Sequence, residues 1–407
     1  MSNRRQFLKQ GVGAFAGFLA IDSIFGRAAR AASAITTPGS AGVRTLVVVN
    51  LQGGNDGLNT LVPYGDPSYY RVRPTINIPA GDVLRIDSEL GLNPNLAGLK
   101  ALYDAHRVAI LQGVHYPNPN LSHFRSTEIW QTAAPERIIE TGWAGRYLDT
   151  AGLPKSDLFK GLAIGPILPK MLVADATDVP TVEGFRMGTF GGTRSEQAHA
   201  DQILNGSGTS YPFQSPYLSL VQEVEHDANA SANALPHLVA GYKPAVQYPA
   251  TPFAQGLNLA AAVIAAGVGT KVIYVSLGSF DTHTGQRGTQ DRLLQQFGDG
   301  MKAFYDDLAA HGLDGDVMTM TFSEFGRRVE ENANRGTDHG TAAPIFVVGG
   351  AVRGGVYGDH PSLTDLDFGN LKWHTDFRSV YATVLQRWLG VAPEPVLGAS
   401  FDTLNFA

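Results

Sequence analysis

The chain has 407 residues, 43% hydrophobic and 17% charged, with 47 glycines, 23 prolines and no cysteine. It is long enough to bury a large core and too apolar to be disordered, and without Cys it can form no disulfide, thiolate metal site, cysteine nucleophile or lipidated-cysteine anchor. Residues 1–34 carry five basic side chains and one acid, so the net charge of −6 leaves the remaining body at −10. Such a body lacks the positive surface needed to wrap a polyphosphate, and nucleic acid is not an expected partner.

The N-terminus reads as an address. Asn3-Arg4-Arg5-Gln6-Phe7-Leu8-Lys9 has the form of a twin-arginine signal, followed by an apolar stretch from Gly11 to Ile21. That stretch is too short for the roughly 20 residues of a membrane-spanning helix. Ala29-Arg30-Ala31 and Ala32-Ser33-Ala34 offer small-residue cleavage sites. The expectation is a signal peptide over 1–34, export by the twin-arginine translocase, and a periplasmic or secreted mature chain without a membrane span.

From Arg44 onward, strand-like and helical patterns alternate. Leu46-Val47-Val48-Val49 is an unbroken apolar run, as in a strand covered on both faces. Further runs occur at 108–111, 162–164, 272–275, 317–322 and 345–348. Spacings of three and four predict a helix over Gln290–His311, where Leu293, Leu294, Phe297, Met301, Phe304, Tyr305 and Leu308 share a face. Other predicted helices cover Ser122–Thr132, Tyr217–Ala230, Gly256–Ala266 and Asp376–Leu389. This alternation predicts one α/β domain over 35–407, with a mainly parallel central sheet and helices on both faces. Residues 169–252, rich in Gly, Ser, Asn and Pro, read as an irregular cap or insertion.

Ligands of a parallel sheet collect at the carboxyl ends of its strands, so the residues just beyond each apolar run are informative. After the first run comes Gln52-Gly53-Gly54-Asn55-Asp56-Gly57. After 272–277 comes Phe280-Asp281-Thr282-His283. Beyond 317–322 stand Ser323-Glu324-Phe325-Gly326-Arg327 and then Thr337-Asp338-His339-Gly340. Trp373-His374-Thr375-Asp376 precedes the last helix. Singly, each has an ordinary explanation: Asp56 as a turn residue, Ser122 and Asp376 as helix N-caps, His339 as a surface side chain. Together, three Asp and three His at loops supply the oxygen and nitrogen donors that zinc, manganese or magnesium accept when thiolates are absent.

The order of Asp56, Asp281 with His283, Asp338-His339-Gly340 and His374-Thr375-Asp376 resembles the alkaline phosphatase superfamily, which includes sulfatases, phosphodiesterases and cofactor-independent phosphoglycerate mutases. The segment 344–355 looks like that superfamily's strand and glycine turn after its Asp-His pair. More closely, the chain resembles the bacterial family called domain of unknown function 1501. The shared features are the twin-arginine leader, Gly53 to Asn59, Ser122-His123-Phe124, Asp281-Thr282-His283, Ser323 to Arg327 and Asp338-His339-Gly340, spread from Thr45 to Gly390.

The superfamily resemblance implies an alkaline phosphatase-like fold with two divalent ions (zinc, manganese or magnesium). Asp56, Asp338 and His339 would hold one ion, and Asp281, His283 and His374 the other. Ser122 would be the nucleophile at a helix start, with His123 a ligand or general acid. Arg327 would clamp the transferring group, and Glu324 would act as a ligand or orienting partner, although a structural Glu324–Arg327 pair is an equal alternative. Asp281 and His283 stand closer in sequence than the superfamily often places such a pair, and Asp338 lies some 15 residues beyond its strand. With no Cys there is no modified-cysteine sulfatase motif. The expected activity is metal-dependent hydrolysis of a phosphate or sulfate ester, small or glycan-linked. The alternative is a non-catalytic binding or assembly protein on the same fold.

Overall fold

A computed structural model describes residues 42–150, 159–183 and 234–407. The leader, the helix expected at Tyr217–Ala230 and the central part of the expected insertion lie outside the described residues.

The main sheet contains β1 (Thr45–Leu51), β2 (Val108–His115), β3 (Gly161–Ile164), β4 (Thr181–Val182), β5 (Val272–Leu277), β6 (Val317–Phe322), β7 (Ala343–Gly349), β8 (Gly355–Tyr357) and β9 (Thr375–Asp376). Their spatial order is β8-β2-β7-β6-β1-β5-β3-β4, with β9 also beside β2. β1 lies at the centre, paired in parallel with β5 (Leu46 opposite Val272) and β6 (Thr45 opposite Val317). Only β7 runs antiparallel, against β2 and β6. The mainly parallel sheet expected from the apolar runs is therefore present.

All seven residues of β1 are buried, as its continuous apolar sequence requires of a strand covered on both faces. Val47 and Val49 face one core with Leu99, Leu257, Phe297 and Met301. These belong to the helices α1 (Ala97–Asp104), α2 (Pro252–Ala265) and α3 (Gln286–Ala310). Leu46 and Val48 face the opposite core with Ile129, Trp143, Tyr147 and Tyr381. These lie on α4 (His123–Thr132), α5 (Trp143–Thr150) and α6 (Phe377–Thr383).

Local chemistry sets the helix ends. Pro252 occupies the first turn of α2 and the Thr251 hydroxyl accepts from the Ala254 N–H, so this helix starts four residues before the expected Gly256. Asp376 caps α6 through the Arg378 N–H, and a π-turn over Val384–Trp388 continues the helix. The described ends of the expected insertion are part of the body. Met171 and Leu172 are buried in the second core, and β4 pairs with β3. On the other side, Tyr242 and Tyr248 donate their hydroxyls to the buried Asp307 of α3.

Candidate metal centre

Because β1, β2, β5 and β6 are parallel and β7 is antiparallel, the loops leaving the first four and the loop entering β7 meet at one sheet edge. There the chain after β1 turns at Gly53, whose φ is +116°. A Cβ at Gly53 would lie 2.5 Å from the Asp281 nitrogen, so only glycine permits this approach of two backbones. The Gly53 N–H donates to both carboxylate oxygens of Glu324 at 2.9 and 3.1 Å. Ser323 ties the same turn, accepting from the Asn55 N–H and donating to the Leu51 carbonyl.

Three imidazoles converge here on the carboxylate of Asp281. The Nε2 atoms of His283 and His339 lie 3.0 and 3.4 Å from its Oδ1, and Nε2 of His123 lies 3.4 Å from its Oδ2. The donor atoms of His123, Asp281 and His339 all lie within 4.8 Å of one another. His283 joins the group through Asp281 and through His339, whose Nε2 is 3.0 Å from its own.

The other ring nitrogen of each histidine is occupied. Nδ1 of His123 donates to Glu324 at 2.8 Å, that of His283 to Asp338 at 3.2 Å, and that of His339 to the Leu121 carbonyl at 2.8 Å. In the neutral rings these acceptors assign the Nδ1-protonated tautomer, which leaves the Nε2 lone pairs aimed at a carboxylate. The Nε2 of His123 is buried without a hydrogen-bond partner among the described residues. Lone pairs facing lone pairs and an anion repel one another unless a proton or a metal cation sits among them. Three imidazoles and a carboxylate, each imidazole backed by an oxygen acceptor, form a donor set that suits a divalent transition metal. The 3.0 Å nitrogen separation is near the roughly 3.3 Å expected between donors of a tetrahedral ion bound at ~2.0 Å.

The electrostatics are mixed. The hydrogen bond to Glu324 and that group's negative charge raise the His123 pKa, whereas burial lowers that of His339. Burial pushes the Asp281 carboxyl up, but the Arg327 guanidinium and the neighbouring histidines outweigh it and hold the group below the usual range. The Asn332 amide, bonded to Asp338, lowers that carboxyl too. The Asp281 side chain is 45% exposed, so its edge of the cluster is open to solutes.

Not every residue singled out in the sequence arrives at the cluster. Asp56 is buried and accepts from Arg73, Gln286 and the Leu58 N–H. With its oxygens occupied this way, it stands apart from the donor group it was expected to share with Asp338 and His339. His374 is exposed beside β2, its N–H donating to the Gly113 carbonyl, and joins no donor group among the described residues. Asp338 and Glu324 stand behind the histidines rather than among the converging donors.

Arg327 departs from its expected role. Its buried guanidinium donates to the carbonyls of Gly53, Gly54, Phe280 and Thr337 and to Asp281. It binds the loops together and presents no free fork to a substrate, and it makes no pair with Glu324. Ser122 is the N-cap residue of α4, yet its side chain makes no capping bond and is exposed. His123 is the next residue. Sequence reasoning passed over Gln286, Asn332 and Thr337, buried or half-buried polar residues whose type alone gives no sign of what they hold.

A family model described as protein of unknown function (DUF1501) matches residues 215–395. That bears out the family resemblance over this stretch. The DUF1501 match spans the loops carrying Asp281, His283, Glu324, Arg327 and His339, while the Gly53 turn and Ser122-His123 lie before it. No curated protein matches the chain in sequence. Among solved structures, the chain is similar to the PsFucS1 sulfatase from Pseudoalteromonas sp., with 13% identity over 98% of this chain and 78% of that one and a TM-score of 0.40. It is also similar to a protein in the alkaline phosphatase superfamily from Vibrio parahaemolyticus (10% identity, 98% and 78% coverage, TM-score 0.36). A third is the C-terminal periplasmic domain of EcEptC from Escherichia coli in complex with Zn (11% identity, 77% and 74% coverage, TM-score 0.35).

Proposed function

We propose that this chain is an exported, metal-dependent hydrolase of phosphate or sulfate esters. Its centre is one divalent ion held by His123, Asp281 and His339 with His283 as the fourth donor. The observation that carries this reading is the convergence of three histidine Nε2 atoms on one carboxylate at a solvent-open sheet edge. An ion held there would act as a Lewis acid toward an ester oxygen. The residues do the rest. Glu324, Asp338 and the Leu121 carbonyl fix the three ring orientations, and Arg327 holds the two ligand loops against the Gly53 turn. Ser122 places a free hydroxyl at the N-terminus of α4, where the helix dipole favours an alkoxide, and it is the proposed nucleophile. Export rests on Arg4-Arg5 and the short apolar stretch behind them. Among the described residues, no helix is long and apolar enough to cross a membrane.

The engagement of Arg327 with backbone carbonyls favours a second reading, a binding protein that holds a metal without turning over an ester. Elemental analysis of protein purified without chelator, followed by phosphate- and sulfate-ester assays, separates the two. The hydrolase reading expects about one equivalent of metal, lost in Asp281→Asn and His339→Ala, and turnover that Ser122→Ala abolishes while metal is retained. Full metal with no turnover on any ester would favour the binding reading, and no metal would overturn both.

A further inference from the structure

The loops that carry Asp281 with His283 and Asp338 with His339 follow strands that are not neighbours, since β1 separates β5 from β6. Besides Arg327 and the Gly53 turn, direct contacts between the loops set their relative position. The Thr337 N–H donates to the Thr282 carbonyl, and Asn332 bridges the His283 carbonyl and the Asp338 carboxylate at 3.0 Å each. Gly336 packs so closely on His283 that a Cβ would meet its carbonyl at 2.3 Å.

One side chain touches both loops from beneath. Gln286, the first residue of α3, is fully buried. Its Oε1 accepts from the hydroxyl of Thr337 at 2.6 Å and lies 3.1 Å from that of Thr282. Thr282 stands between Asp281 and His283, and Thr337 directly precedes Asp338 and His339. The Nε2 of Gln286 donates to Asp56, whose carboxylate is held in turn by the buried Arg73. A carboxylate can only accept, so this pairing fixes the amide orientation and leaves Oε1 for the two hydroxyls.

We infer that Gln286, oriented by the Asp56–Arg73 pair, is a positioning residue that sets the distance between the two ligand loops and so tunes the affinity of the metal centre. The inference rests on the metal-centre reading above and gives Asp56 a role as an anchor beneath the site. Groups that hydrogen-bond a metal ligand directly commonly alter affinity by about 10- to 100-fold, and Gln286 acts on both ligand loops one residue away from such ligands.

The test measures zinc affinity by competition with a chromophoric chelator, the visible spectrum of cobalt-loaded protein and the melting temperature of the metal-free protein. Gln286→Met should weaken zinc binding at least tenfold and alter the cobalt spectrum. Thr337→Val should weaken it less, and Thr337→Ser, which keeps the hydroxyl, should restore it. Gln290→Met is the comparison, because Gln290 bonds the Asp56 carbonyl from the next turn of α3 but touches neither ligand loop. It should lower the melting temperature without changing the zinc affinity. If Gln286→Met does not fold, the Thr337 pair decides. Unchanged affinity and spectrum in Thr337→Val and in folded Gln286→Met would overturn the inference while leaving the metal centre standing. A wild-type chain that binds neither zinc nor cobalt would instead overturn the metal-centre reading, and this inference with it.

Discussion

The Nε2 atoms of His283 and His339 face each other at 3.0 Å while their Nδ1 atoms are tied to Asp338 and the Leu121 carbonyl. Each partner is an acceptor, so neither ring has a proton left for the other in its neutral form. Histidines from two loops are thus held in a repulsive contact that a cation would relieve.

Metal should therefore stabilise the fold. At a free concentration 100 times the dissociation constant, the gain is about 2.7 kcal/mol. Thermal melts with zinc or manganese present should exceed those in chelator by several degrees, and His339→Ala should remove the difference. Equal melting temperatures in both conditions would argue against the cluster as a metal site.

Gly53→Ala should impair stability and metal binding together. The added Cβ would have to stand 2.5 Å from the Asp281 nitrogen at a φ that L-residues avoid. Strain of this kind costs about 1–3 kcal/mol, and relief by backbone movement would shift the Asp281 loop. Denaturant melts and metal content of the same sample check both effects.

Arg327→Lys should behave as a folding defect. Lysine cannot reach the carbonyls of Gly53, Gly54, Phe280 and Thr337 as a planar fork does, and the buried acceptors left unpaired cost about 1–3 kcal/mol each. The expected result is a several-kilocalorie loss in denaturant melts with loss of metal. A stable variant that keeps its metal and shows only a raised KM for an ester would restore the anion-clamp role.

His115, buried at the end of β2, gives the fold an acid-sensitive element outside the converging donor group. Burial lowers its pKa from 6.5 to about 4. The unfolded chain then binds the extra proton between these values, so this contribution is fully present above about pH 6.5 and is lost as the pH falls through about 4. Its upper limit is on the order of 3 kcal/mol. Melting temperature should fall between pH 7.5 and 5, and His115→Gln should flatten that slope. An identical slope in the variant would show that other groups cause the acid sensitivity.

Much of this protein could be read in one dimension. The apolar, largely β-branched runs at 46–49, 272–275 and 317–322 became buried parallel strands, since a sheet covered on both faces hides both sides of such short runs. The polar clusters behind them had to collect at one edge, and Asp281, His283 and His339 were named from that logic, whereas His123 came only from the family resemblance. The same logic singled out Asp56, His374 and Arg327; the structure engages Asp56 and Arg327 with other partners and leaves the exposed His374 outside the converging donors. An aspartate's sequence context shows that it can accept hydrogen bonds, not that Arg73 and Gln286 will occupy it first, the latter 230 residues away. Likewise only the folded chain decides whether an arginine's donors are used up by the carbonyls of three converging loops before a substrate arrives. Local sequence determined the strands, the turns and the chemical type of each donor. The tertiary structure decided which donors converge, because that depends on how distant loops pack across the edge of the sheet.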